Sequence, residues 1–203
     1  MTCTVEKFEK DIADHTMKVI RDEGHNRHLS FSKNGSSCYQ FDLITWRGHL
    51  CVTGDCGTYV FERVADMFEF FRKDRINAGY WGEKILSVCR NGGYKEFDGD
   101  KFIKVVKSYT DDWEFDDEED REEAMQQVED DLLSVVHDGN GEIAIAVANN
   151  FSYVGSDSKC YQFDDIWDHG CDRYTYHYIW CLEAIIAGIK MYDESLKDEG
   201  ISA

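Results

Sequence analysis

A chain of 203 residues, 42% hydrophobic and 14% aromatic, has enough apolar mass for a sizeable core, which excludes a disordered protein. Its net charge of −19 and sequence pI near 4.6 oppose nonspecific binding to nucleic acid or to an anionic membrane, and favour a basic partner surface. No apolar run approaches the roughly 18 residues of a membrane span, and the first residues, MTCTVEKFEK, lack the basic-then-apolar order of a secretory leader, so a soluble cytoplasmic protein is expected.

Thr4 is placed to cap a helix running to about Glu23, with Val5, Phe8, Ile12 and Ile20 near one face and Gly24 ending it. Leu29 and Phe31, ahead of the hairpin signal Asn34-Gly35, read as a strand. Tyr39, Phe41 and Leu43 then alternate with polar residues, the period-two pattern of a strand with one buried face. Arg47-Gly48 suits a tight turn, Leu50 and Val52 resume the alternation, and Gly54-Asp55 turns the chain into a run carrying Tyr59 and Phe61. The stretch 41–61 is therefore an antiparallel meander, and helices must cover its apolar face.

Val64, Met67, Phe68 and Phe71 have helical spacing, and a second short helix is expected over Tyr80 to Arg90, carrying Trp81, Ile85, Leu86 and Cys89 and closed by Asn91-Gly92-Gly93. A third begins at Asp98 or Asp100, with Phe102, Val105, Val106 and Tyr109 as its stripe. Between Asp111 and Asp131 thirteen acids face a single Arg, a net of −12. The second half of this tract is expected to be a helix, because Ala124, Met125, Val128, Leu132 and Val135 share a face and acids at its start suit the helix dipole. Gly139-Asn140-Gly141 breaks the chain, and 143–151 fits either a helix or a buried strand, the helix being favoured because alanines are frequent and strand alternation would put apolar residues on both faces. The last helix is the most apolar, with Asp172 as its cap and Tyr174, Tyr178, Cys181, Leu182, Ile185, Ile189 and Tyr192 along a wide stripe. The expected fold is one α+β domain over 1–203. A meander of three to four strands, about 27–62, packs against about six helices, with a central apolar C-terminal helix.

Catalytic and metal motifs are sparse. His169, Cys171, His177 and Cys181 could supply zinc ligands, but the eight cysteines contain no Cys-x-x-Cys and Cys181 lies in the core stripe, so no metal and no cofactor are assigned. His49 with Cys51 or Cys56 is a thiol and imidazole close in sequence, which is poor evidence for a dyad assembled in space. Without an export signal the thiols are expected to be free and mostly buried. Asp111, Asp112, Asp116 and Asp117 lack the spaced positions and glycine of a calcium loop. P-loop, dinucleotide and nucleophile-elbow motifs are missing, so the protein is expected not to be an enzyme. The partner-binding candidates are Asp111, Asp112, Trp113, Glu114, Asp116, Asp117, Glu118, Glu119, Asp120, Glu122 and Glu123, with Trp113 and Phe115 as aromatic anchors. Reversing Asp116, Asp117, Glu118, Glu119 and Asp120 to Lys is expected to leave the fold intact.

The stretches FDLITWRGHLCVTGDCGTYVF, ADMFEFFR, AGYWGEK and YTYHYIWCLEAIIAGIKMYD resemble a family of small uncharacterised proteins encoded by bacteriophages and prophages; the similarity runs from Arg27 to Asp193 and does not include the acidic tract. The resemblance implies a place in the cytoplasm of an infected bacterium and a role in inhibiting host defence, and it transfers no catalytic residue. Joined to the charge, it suggests a non-enzymatic inhibitor that occupies a basic, nucleic-acid-handling surface of a CRISPR effector or restriction system by presenting carboxylates in place of phosphates, without binding nucleic acid or membrane itself. A phage nucleic-acid or metabolic enzyme with a Cys/His site, and a regulatory or structural phage protein, are the alternatives.

Overall fold

The computed structural model describes residues 2–89, 92–136 and 141–198. In chain order, helix α1 (Val5–Ile12) is capped by Thr4, whose hydroxyl accepts from the Lys7 N–H. Strands β1 (Thr16–Glu23), β2 (Asn26–Ser32), β3 (Phe41–Trp46), β4 (His49–Gly54) and β5 (Gly57–Glu62) follow, then α2 (Met67–Phe71), α3 (Ala78–Gly82), β6 (Ile85–Val88) and β7 (Lys95–Phe97). Next come α4 (Gly99–Asp111), α5 (Glu118–Val128), a π-helical turn (Glu129–Leu133), α6 (Ser134–Val136) and α7 (Gly141–Asn150). After β8 (Ser152–Val154), β9 (Cys160–Gln162) and a 3-10 turn (Ile166–His169), β10 (Asp172–Tyr174) leads into α8 (Tyr176–Asp198).

The class is α+β, as expected, but the principal sheet is larger than the expected meander. It has six antiparallel strands in sequence order β1 to β6. Both added strands come from segments that the sequence pattern assigns to helix. The expected first helix stops at Ile12, and 16–23 is an edge strand that pairs from Thr16↔Ser32 to Glu23↔Asn26. Helical spacing of Ile12 and Ile20 is accidental: Val19 and Ile20 are about half exposed, while Gly24 adopts φ +63° as a hairpin turn and not as a helix end. The expected second helix likewise ends at Gly82, after which Ile85–Val88 pairs with β5. Capture by an open sheet edge outweighs the helical spacing of Trp81, Ile85 and Cys89. Its expected end, at Arg90 and Asn91, lies outside the described residues, as does the break at Gly139-Asn140. The helices expected after Asp98, in the acidic tract and over 143–151 are present as α4, α5 and α7. The helix at the C-terminal end is capped by Thr175, which accepts from the Tyr178 N–H at 3.2 Å; Asp172 lies in β10 instead.

The chain divides into two compact units, unit 1 comprising 1–95 and 174–203 and unit 2 comprising 96–173. In unit 1 one sheet face presents Leu29, Phe31, Phe41, Leu43, Leu50, Val52, Tyr59 and Phe61, all at most 1% exposed, to Phe8, Phe68, Trp180 and Ile185. Helix α8 comes so near this face that a methyl added at Gly188 would lie 2.7 Å from Leu43 Cδ1 and 3.0 Å from Phe31 Cζ. In unit 2 Phe102 and Val106 of α4 pack with Val128, Leu132, Ala144, Ala148, Phe151, Phe163 and Ile166. Among the described residues no helix is long and apolar enough to cross a membrane.

Candidate functional site

The acidic tract folds on the surface of unit 2. Asp117 caps α5 by accepting from the Glu119 N–H at 3.0 Å, and Glu118, Glu119 and Asp120 occupy the first turn, where the helix dipole favours negative charge. Ala124, Val128, Leu132 and Val136 form the buried edge. Four-residue steps drift by about 40° each around a regular helix. The wider π turn at Glu129–Leu133 takes up that drift and keeps Leu132 and Val136 on the same inner line. In consequence the carboxylates of Glu118, Glu119, Glu122, Glu123, Glu129, Asp130 and Asp131 all remain exposed.

The candidates do not form one equivalent set. Asp120 accepts from the Ser156 N–H at 2.8 Å, the Ser156 hydroxyl at 2.7 Å and the Tyr153 hydroxyl at 3.2 Å. The hydrogen bonds from Ser156 hold its carboxyl below the usual carboxylate range. Tyr153 also donates to Glu123 at 3.2 Å; partial desolvation and these carboxylate contacts push its phenol up to about 12. Asp116 pairs with Lys159 at 3.0 Å, Glu118 with Arg121 at 3.4 Å, and Asp117 is a helix cap. Asp116, Asp117 and Asp120 are thus joints of unit 2, and reversing them to Lys would remove an ion pair, a helix cap and three hydrogen bonds. Asp111, Asp112, Glu114, Glu119 and Glu122 are exposed, and their carboxylates make no such joint among the described residues.

Trp113 and Phe115 pack inside unit 2. Trp113 lies 5.1 Å from Phe163, 5.5 Å from Tyr161 and 6.0 Å from Phe151, the last nearly parallel, and Phe115 stacks on Tyr161 at 4.1 Å. Tyr161 in turn donates to the Glu114 carbonyl. Both rings remain partly exposed, but the geometry is that of a satellite core.

The cysteine and histidine candidates are dispersed. His169 lies 2.9 Å from the Tyr109 hydroxyl and, with buried Cys171, belongs to unit 2. His177 is exposed on α8, whereas Cys181 is buried and donates to the Cys56 carbonyl in unit 1. Among the described residues no group of three or more Asp, Glu, His or Cys side chains has a metal-holding arrangement. His49 lies against Trp46 (4.8 Å) and near Glu62 (3.7 Å), on the sheet face opposite Leu50 and Val52. Burial raises the Cys51, Cys171 and Cys181 thiols and pushes Cys56 up to about 12, so these sulfurs stay protonated and weakly nucleophilic at neutral pH.

The concentration of charge in the 111–131 stretch, a net of −12, extends through unit 2. Unit 2 holds 23 acids against 6 Lys and Arg, a net of −17, and the remaining residues hold 18 against 16, a net of −2. A count over any long window of the sequence would have shown this had the boundaries at 96 and 173 been visible.

The chain matches no family model, no curated protein and no solved structure.

Proposed function

We propose that the protein is a phage-encoded, non-enzymatic inhibitor whose unit 2 occupies a basic, nucleic-acid-handling surface of a host defence complex, a CRISPR effector or a restriction system. The observation that carries this reading is the segregation of charge, −17 in unit 2 against −2 in unit 1, with the α5 carboxylates held outward by a buried edge. An ordered array of carboxylates offers Lys and Arg the same charge-assisted hydrogen bonds that phosphates do, with its side chains already positioned by the helix. The protein itself binds neither nucleic acid nor membrane in this reading. It works in the host bacterial cytoplasm, with α8 as the central scaffold of unit 1.

The test uses the acids that are not joints of the fold. Asp111, Asp112, Glu119 and Glu122 are changed together to Lys, and wild type and variant are compared for capture of purified CRISPR effector and restriction complexes across a salt series. Circular dichroism confirms that both are folded. The expected result is loss of capture by the variant, and for wild type a decline as salt shortens the screening length below about 8 Å. A folded variant that captures the same complex at wild-type strength overturns the proposal.

A further inference from the structure

Unit 1 carries a second surface of opposite chemistry. The segment after β5, α2, the turn 72–77 and α3 enclose an open cleft of about 880 Å³, within the size range of small-molecule sites. Its apolar lining is aromatic. Trp81, 2% exposed and held edge-on by Phe71 at 4.8 Å, closes the inner side. Phe70 and Tyr80, with ring centres 5.8 Å apart, line it further out, and Tyr80 is 41% exposed.

Two cations line this cleft, and a third, Lys84, lies 4.7 Å over one face of the Tyr80 ring. Lys73 and Arg75 are exposed and have no ion-pair partner among the described residues, whereas the neighbouring Arg72 is held by Asp193 at 2.8 and 2.9 Å. Glu69 adds a carboxylate that can accept a hydrogen bond from a ligand N–H. Aromatic faces beside a free guanidinium and ammonium suit a ligand with a planar ring and an anionic group. The field of a chain with net charge −19 repels a polyanion at long range, so the occupant is a small anion with one or two charges and not a nucleic-acid strand.

We propose that this cleft binds a nucleoside monophosphate, with its base against Tyr80 and Phe70, a base N–H donated to Glu69, and its phosphate on Lys73 and Arg75. The full-length protein is titrated with AMP, GMP, CMP and UMP by calorimetry and by intrinsic tryptophan fluorescence. The matching nucleosides, inorganic phosphate and an eight-nucleotide single strand are run alongside. At least one monophosphate is expected to bind saturably, and its nucleoside and inorganic phosphate at least about tenfold more weakly, because each half forfeits either the stacking or the charge-assisted contacts. Lys73→Ala, Arg75→Ala and Tyr80→Ala should each weaken binding by about fivefold or more while leaving the thermal midpoint unchanged, since all three side chains are exposed. The proposal is overturned if none of the four monophosphates binds, if inorganic phosphate binds as well as they do, if the strand binds more tightly, or if the three variants bind like wild type.

Discussion

The two units use carboxylates in opposite ways. In unit 1 several are internal fasteners: Asp66 takes a bidentate pair from Arg27 at 2.9 Å and caps α2, Asp193 holds Arg72, Asp22 accepts from Tyr192, and Asp11 accepts from the Trp180 indole. In unit 2 Asp120 and Asp116 play that part, while seven acids on α5 and the turn after it face water. A paired carboxylate is tied to stability. An exposed one costs little to keep and leaves its charge free for a partner. Both units have a buried core, and they differ in where their surplus negative charge lies.

The largest effect that sharpens this contrast is a core lesion in unit 1. Trp180 meets Phe8, Tyr39 and Phe41 with ring centres 5.2 to 5.8 Å apart, and Trp180→Ala should cost about 3–5 kcal/mol. Ile185→Ala, at a fully buried position of the same helix, should cost about 2–5 kcal/mol. Denaturant melts of both variants measure this, and unchanged midpoints would mean that α8 does not carry the core. Arg27→Ala should follow, at about 3 kcal/mol, because it strands Asp66 in a site where its side chain is only 18% exposed.

Acid should act through the same pair. Burial raises the Asp66 carboxyl, but the Arg27 guanidinium and the Phe68 N–H outweigh it and hold the group below the ordinary carboxylate range. Its folded value is the lower one, so its stabilisation is present above the unfolded value and is lost as pH falls through the folded one. Melts of wild type and Asp66→Asn from pH 6 downward should converge in that window; a constant gap would assign the loss to other groups.

Smaller effects belong to unit 2 and are read by hydrogen exchange resolved between 99–136 and 41–62. Asp120→Ala should raise exchange in the first stretch and leave the second unchanged, because its three hydrogen bonds lie within unit 2. Added salt should protect unit 2 more than unit 1, since a net of −17 repels itself and −2 does not. The smallest change is expected from Glu122→Gln, an exposed side chain on α5, which should leave both stretches as they are.

Strands β3 to β5 were legible because Phe41, Leu43, Leu50, Val52, Tyr59 and Phe61 alternate cleanly and their turns are short. The strands β1 and β6 were not. Each is an edge with little burial, so its apolar residues lack a period-two signature, and chance helical spacing filled the gap. At the candidate site, the density of charge was legible from composition alone. The distinction between Glu122, which is free, and Asp120, which is a joint, depends on Tyr153 and Ser156 from a distant part of the chain, and no local pattern carries it. The inward packing of Trp113 was hidden for the same reason, since its neighbours Phe151, Tyr161 and Phe163 come late in the sequence.

The close approach at Gly188 also bears on the order in which the molecule can be made. Leu43 leaves the ribosome long before residue 188, and the whole of unit 2, contiguous from 96 to 173, is synthesised in between. Unit 2 has all of its core in hand first, and its contacts close shorter loops. The sheet of unit 1 meanwhile waits with Phe31, Leu43 and Val52 lacking the helix that covers them. A sheet face without its covering helix is an apolar surface of the kind chaperones bind, so a pause in translation between 96 and 173 is expected to prolong its exposure without altering any contact of the finished protein.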